Sequence, residues 1–74
     1  MATVEQEIGE VDVVAFVQAV DKVEGDGEWP AGTTGTVLSD YGDHKEVEIS
    51  DDRGEALDYV IVPVTQLRLI AKYS

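Results

Sequence analysis

Hydrophobic residues are densest near the start of the chain, in the segment VDVVAFVQAV at positions 11–20. Valine and phenylalanine fit a pleated sheet, where β-branched side chains keep their preferred rotamers, so this segment predicts a first strand. A helix beginning at Thr3 is the alternative, because Thr3 and Gln6 would form a capping box. Apolar residues also recur at helical spacing, at Val4, Ile8, Val11 and Ala15. Gly9 would cost that helix about 1 kcal/mol relative to alanine, which favours the strand.

The rest of the chain alternates turn-forming segments with short strand patterns. Four glycines and Pro30 predict a long loop over positions 21–35. Strand patterns follow in TGTVLSD (34–40), KEVEIS (45–50), EALDYVIV (55–62) and RLIA (68–71). Their connections are the turn DYGDHK (40–45), a tight turn at positions 51–54 and one helical turn in PVTQL (63–67).

Alternation within these strands indicates which residues face the core. In KEVEIS, Val47 and Ile49 alternate with Glu46 and Glu48. We expect the two aliphatic side chains to be buried and both glutamates to lie in solvent. Tyr59 is expected to pack within the strand EALDYVIV.

Five short strands in this order predict an all-β fold, a small five-stranded SH3-like barrel with one short 3-10 turn near the C-terminus. Closing the sheet into a barrel would protect the edges of its outer strands. We expect positions 11–74 to form the barrel. Positions 1–10 are expected to form an N-terminal arm that is flexible or becomes ordered on a partner.

Composition narrows the class of partner. The 74 residues suffice for one domain and carry 16 acidic against 5 basic residues, a formal net charge of -11. Such a charge repels phosphate backbones and favours cationic partners, so we predict no direct nucleic-acid binding. The chain has no cysteine and no apolar run long enough to span a bilayer. We expect a cytoplasmic protein that does not bind membranes, with its oligomeric state left open.

Four segments together resemble a known family. They are DVVAF (12–16), AGTTGTV (31–37), KEVEISDDRGEA (45–56) and VPVTQLR (62–68). Over positions 12–69 the chain resembles the short bacterial proteins of domain of unknown function 4926, whose pattern runs D-V-V, G-x-x-G-T-V, a V-E-F-like strand and P-x-x-x-L-R. The resemblance implies an SH3-like fold and a partner-binding or antitoxin-like role, and it transfers no catalytic residue. The loop at positions 21–35 is more acidic, and the turn DYGDHK more charged, than that pattern.

Phosphate and metal motifs are incomplete in this chain. Gly27 and Gly32 have the glycine spacing of a phosphate-binding loop, but Thr33 stands where that motif requires lysine. An EF-hand ending on Gly27 would begin at Lys22, which cannot ligate calcium. Weak Ca²⁺ or Mg²⁺ binding by the acids at positions 51–52, or at 24 and 26, is chemically allowed, although solvated turn carboxylates are the simpler interpretation. We therefore predict no cofactor and no metal site.

The sequence also offers no catalytic constellation. His44 is the single histidine and lies in a charged turn. Nucleophilic catalysis needs a base beside its nucleophile and a third group that orients the base, and no serine here is marked by such a pattern. We predict that the chain is not an enzyme.

Trp29 and Tyr41 are the aromatic candidates for partner contact. Trp29 lies in the glycine-rich acidic loop, where it either closes one end of the core or anchors a partner. Tyr41 lies in the turn after the TGTVLSD strand.

The function that best fits these features is a non-catalytic module whose acidic surface docks on a basic protein partner. Such a module is a candidate antitoxin, immunity protein or antirepressor that imitates nucleic acid. The predicted contact residues are Trp29, Tyr41, Glu24, Asp26, Glu28, Asp51 and Asp52. The alternative is an accessory SH3-like subunit of a bacterial enzyme complex, with a more apolar contact that includes Trp29, Phe16 and the N-terminal segment.

Overall fold

The computed structural model of the chain describes residues 8–73, which form strands, turns and one short 3-10 helix. The strands are β1 (Val13–Phe16), β2 (Val20–Asp21), β3 (Glu28–Trp29), β4 (Thr34–Asp40), β5 (His44–Ser50), β6 (Ala56–Pro63) and β7 (Leu67–Ala71), with the 3-10 helix at Val64–Gln66. The predicted all-β fold is confirmed. The predicted first strand appears as two shorter ones, β1 and β2, and the part of the alternative helix over positions 3–7 lies outside the described residues.

Two antiparallel sheets surround one core. The larger has the strand order β6-β5-β4-β1-β7, and β2 pairs with β3 in a separate hairpin. Register shifts between β1 and β7, β4 and β5, and β5 and β6 are the irregularities at which such a sheet bends. Side chains from six of the strands meet in a single cluster, whose most buried members are Val14, Val37, Val47 and Val60.

The larger sheet is open, so the expected closed barrel is not formed. Among the described residues β6 and β7 are the two edges and do not pair with each other. The physical reason lies after Phe16, where the chain bends at positions 17–18. The chain then forms the β2–β3 hairpin instead of extending β1, and this hairpin, rather than a strand, faces the free edge of β6.

The two glycines of AGTTGTV shape the entry to β4. Gly32 has a φ of +91°, and its amide donates to the carbonyl of Phe16 at 2.8 Å, so it turns the chain back onto β1. Gly35 has an ordinary φ but no space for a side chain. A Cβ there would lie 2.5 Å from Val47 Cγ1 and 2.6 Å from the Glu48 carbonyl oxygen. The spacing therefore serves a turn and a close backbone approach within the sheet.

Strands β5 and β6 follow the alternation of a sheet with one buried face. Val47 and Ile49 are buried as predicted, whereas Glu46 and Glu48 are partly exposed. In β6 the residues in phase with the core are Asp58, Val60 and Val62, so the intervening side chains point outward. The expectation that Tyr59 packs within its strand is wrong, because its position puts it on the outer face with 47% of its surface exposed.

Asp12 joins the two ends of the described chain. It is 3% exposed, and its carboxylate accepts hydrogen bonds from the Gly9 amide at 2.8 Å, the Lys72 ammonium at 2.8 Å and the Tyr73 amide at 3.0 Å. Ile8, which sequence assigned to the N-terminal arm, is buried against the core beside this cluster. The hydrogen bond from Lys72, followed by those from Gly9 and Tyr73, lowers the pKa of Asp12 from 3.8 to about 2.

Gly35→Ala tests the close approach of β4 to β5. The new methyl group has to displace the backbone at Glu48, so we expect the free energy of unfolding in urea to fall by about 2 kcal/mol or more. Thr34→Ala, at the exposed neighbouring position, is the matched control and should change it by less than about 0.5 kcal/mol. Equal stability of the two variants would contradict this packing.

Asp12→Asn tests the joining of the ends through the pH dependence of stability. The folded-state pKa of Asp12 lies below its unfolded value, so its contribution is complete above about pH 5 and disappears as the pH falls toward about 2. The variant should be less stable than the wild type at pH 7. The gap in unfolding free energy, measured by urea titration and circular dichroism, should narrow between about pH 5 and pH 2. A gap independent of pH would show that the Asp12 ion has no such role.

Candidate functional site

The candidate site is built on the β2–β3 hairpin and its connecting loop, positions 20–29. Val20 lies opposite Trp29, and Asp21 lies opposite Glu28. The amide of Lys22 donates to the Gly27 carbonyl at 3.0 Å and closes the loop. The glycines at positions 25 and 27 both have positive φ, so the six-residue connection contains two positions that favour glycine. The glycine-rich segment that predicted a long loop with turns therefore forms a hairpin.

A buried carboxylate fixes this hairpin to the larger sheet. Asp58 is 1% exposed and accepts hydrogen bonds from the amides of Val23 at 2.8 Å and Glu24 at 3.0 Å. It also accepts one from the Trp29 indole Nε1 at 2.9 Å and one from the Tyr59 amide at 2.9 Å. Three of these four donors belong to the hairpin, so one side chain of β6 sets the position of its loop and of its aromatic residue.

The electrostatics of Asp58 are those of an anion stabilised by dipoles. Burial disfavours the charged form and by itself raises the pKa. The hydrogen bonds from Trp29, Val23, Glu24 and Tyr59 outweigh burial, so the pKa of Asp58 is lowered. The carboxylate is ionised at neutral pH without a basic side chain beside it among its hydrogen-bond donors.

Trp29 joins the hairpin to the core. Its side chain is partly buried and packs against the core cluster, while Nε1 donates to Asp58. The Lys22 ammonium lies 4.6 Å from the centre of its ring, within the range of a cation–π contact. Of the two roles considered for Trp29, this placement resembles a lid on the core, with one part of its surface still accessible.

The predicted acidic residues of the loop project into solvent. Glu24, Asp26 and Glu28 are exposed. The ion pairs among residues 8–73 join His44 to Asp43, Lys45 to Asp40 and Lys72 to Asp12, and none includes a carboxylate of the loop. The loop acids therefore contribute uncompensated negative charge at one side of the molecule.

The remaining predicted contact residues fall into two groups. Asp51 is structural, since its Oδ1 accepts from the amides of Arg53 at 2.8 Å and Glu55 at 3.0 Å in the β5–β6 turn, whereas Asp52 is exposed. This turn leads directly into β6, on which Asp58 accepts hydrogen bonds from the hairpin loop. Tyr41 lies before the opposite end of the seven-residue β5, about 20 Å away at the usual rise per residue. The structure thus separates Tyr41 from the acids at positions 51 and 52.

Other residues considered from sequence take structural or isolated positions. The exposed side chain of His44 forms a hydrogen bond with Asp43 at 3.1 Å, and this bond lowers the pKa of Asp43. Phe16 is 2% exposed, so it is not available for the apolar surface contact of the accessory-subunit alternative. Within residues 8–73 no group of three or more His, Cys, Asp or Glu side chains is arranged to hold a metal ion. No helix in this range is long and apolar enough to cross a membrane.

The surface has two clefts that involve the elements described above. One, of about 420 Å³, separates the β2–β3 hairpin from the edge of β6 and includes Asp21, Glu28, Ile61 and Pro63 in its lining. The other, of about 440 Å³, contains Lys45 and Lys72, whose ammonium groups pair with Asp40 and Asp12. Hydrogen bonding to Lys45 lowers the pKa of Asp40. The cleft beside the hairpin is therefore the more acidic of the two.

Asp58→Asn tests the anchoring of the hairpin. An asparagine amide presents hydrogen-bond donors where the site supplies donors, so we expect a loss of about 3 kcal/mol in the free energy of unfolding. The emission of Trp29 should shift to longer wavelength in the folded variant as its indole becomes hydrated. Asp26→Asn, the same change at an exposed position, should alter stability by less than about 0.5 kcal/mol. A variant at position 58 as stable as this control would contradict the anchor.

Comparison of the chain with protein-family models, with curated proteins and with solved structures finds no match in any of the three.

Proposed function

We propose that this chain is a non-catalytic protein-binding module, an acidic SH3-like domain that docks on a basic patch of a partner protein. One observation carries the proposal. The exposed carboxylates of Glu24, Asp26 and Glu28 form no ion pair within residues 8–73, and their loop is fixed to the sheet by the buried Asp58.

The topology supports the SH3-like assignment. A five-stranded antiparallel sheet with register shifts, a hairpin inserted after the first strand and a 3-10 helix before the last strand resemble the arrangement of small SH3-like barrels. In this proposal the ring of strands is incomplete, and the hairpin takes the place of a closing ladder between β6 and its neighbour. The family resemblance of the sequence is compatible with the same assignment.

The physical advantage of such a surface is rapid and specific association. A net charge of -11 produces a long-range field that steers a cationic partner toward the domain. The anchored loop is ordered before binding, which reduces the conformational entropy lost on association. The same field disfavours direct binding of nucleic acid, because like charges repel.

The roles that follow are those in which an acidic protein occupies a nucleic-acid-binding surface. An antitoxin, an immunity protein or an antirepressor in a bacterial cytoplasm would use the loop carboxylates in place of phosphates. The acids at positions 51 and 52 add negative charge in the turn that precedes β6. Tyr41 lies outside this surface and takes no part in the proposed contact.

Affinity capture from the source cells, followed by binding measurements with the purified partner, tests the proposal. We expect basic partners and an affinity that falls steeply between about 50 and 500 mM salt. The double variant Glu24→Lys with Asp26→Lys should weaken binding by about tenfold or more. Glu10→Lys with Asp43→Lys changes the net charge equally at exposed sites outside the loop and the β5–β6 turn, and it should have a much smaller effect.

Three outcomes would overturn the proposal. They are acidic partners, an affinity indifferent to salt, and equal losses in the two double variants. Equal losses would mean that net charge, rather than the anchored loop, determines binding.

A further inference from the structure

Strand β6 lies at an exposed edge of the larger sheet, and its outward-facing side chains are uncharged. It is eight residues long and pairs only with β5 among the described strands. Its outward side chains are Leu57, Tyr59 and Ile61, which are 46%, 47% and 59% exposed. The single charge in the strand, Asp58, points inward and is buried. The outer face of this edge is therefore apolar along its length.

Sheet edges of this kind are usually protected. Natural proteins shorten an edge strand or place charges and prolines on it, because its free backbone groups otherwise pair with another chain. The opposite edge, β7, has five residues and carries the exposed Arg68. On β6 only the terminal Pro63 serves such a purpose. The Tyr59 amide already donates to Asp58 at 2.9 Å, so an added strand would pair with the other outward backbone groups between Ala56 and Val62.

Carboxylates border this edge on both sides. On the outer face, Glu48 lies opposite Tyr59 and Glu46 lies opposite Ile61 on the adjacent strand β5. Across the cleft of about 420 Å³, Asp21 and Glu28 lie directly opposite each other in the hairpin. Like charges in opposed positions destabilise a pair of strands, so a cation placed in the cleft would relieve their repulsion.

We propose that β6 accepts an extended segment of a basic partner as an added strand, a form of β-augmentation. The segment's apolar residues lie beside Leu57, Tyr59 and Ile61, and the alternate residues, lysine or arginine, enter the cleft toward Asp21 and Glu28. Backbone pairing provides affinity, and the alternation of apolar and basic residues provides selectivity. This inference rests on the proposed function, because it assumes a cationic partner.

The charge around the edge selects a basic partner over a second copy of the chain. Pairing of β6 with β6 would bring together two molecules that each carry a net charge of -11, with Glu46, Glu48, Asp21 and Glu28 close to the shared edge. A cationic strand instead meets negative potential on both of its faces. Charge complementarity thus distinguishes the two occupants.

The probe is a synthetic peptide of alternating lysine and valine with the length of β6, titrated into the ¹⁵N-labelled domain. We expect saturable binding, with the largest amide shifts in β6 and in the hairpin residues that face it. Ile61→Lys places a charge on the edge strand and should lower the affinity for the peptide by about tenfold or more. Ile70→Lys makes the same change on the opposite edge strand and should leave the affinity within about threefold of wild type.

Each of the following results would overturn the inference about β6. None of them by itself decides whether the proposed function is correct. Absence of saturable binding at millimolar peptide, or equal losses in both variants, excludes augmentation at β6. A domain that dimerises through β6 in the absence of peptide, and becomes monomeric in Ile61→Lys, identifies a second copy as the occupant. In each case, salt-sensitive binding of the captured basic partner that depends on Glu24 and Asp26 would leave the proposed function standing.

Discussion

The buried carboxylate of Asp58 is the constraint on which the candidate surface depends. An ionised carboxylate removed from water is costly unless its oxygens accept hydrogen bonds, and here four N–H groups supply them. Three donors come from the hairpin, so its loop cannot leave the sheet without exposing the ion or leaving it unsatisfied. The hydrogen bonds to Asp58 therefore fix the positions of the acidic loop and of the hairpin wall of the cleft beside β6.

The distribution of the few basic residues explains why the surface remains so acidic. Lys45 is buried and pairs with Asp40, and Lys72 pairs with the buried Asp12. Lys22 lies over the ring of Trp29 and forms no ion pair among the described residues. These three cations thus stabilise the ends of strands and the core lid, Arg53 and Arg68 are exposed at positions outside the loop, and the carboxylates of the loop face solvent. An acidic surface that the fold leaves uncompensated is suited to a cationic partner.

Much of the fold could be predicted because its strands alternate clearly. TGTVLSD, the Val47 and Ile49 pattern and the helical turn after Pro63 all appear where the sequence indicates them. The hairpin could not be predicted, since two strands of two residues have no measurable periodicity. Closure of the sheet is a long-range property, decided by where the chain leaves β1, and short-range patterns do not report it.

The sequence does carry a signal for the anchor. In EALDYVIV, Asp58 is in phase with Val60 and Val62 rather than with the outward residues. An acid on the core side of a strand has to find donors, and the nearby glycine-rich loop with its tryptophan is the obvious source. The same phase places Tyr59 on the outer face, which an assignment based on aromatic character alone misses.

Hydrogen exchange of the wild-type domain tests the central claim most directly. If Asp58 anchors the hairpin, the Trp29 indole proton and the amide protons of Val23 and Glu24 exchange slowly, as protected groups of the folded sheet do. In Asp58→Asn the exchange of all three protons should become fast together, while the amide protons of β4 and β5 stay protected from exchange. Exchange of these three protons at the rate of an unstructured loop in the wild-type protein would contradict the account.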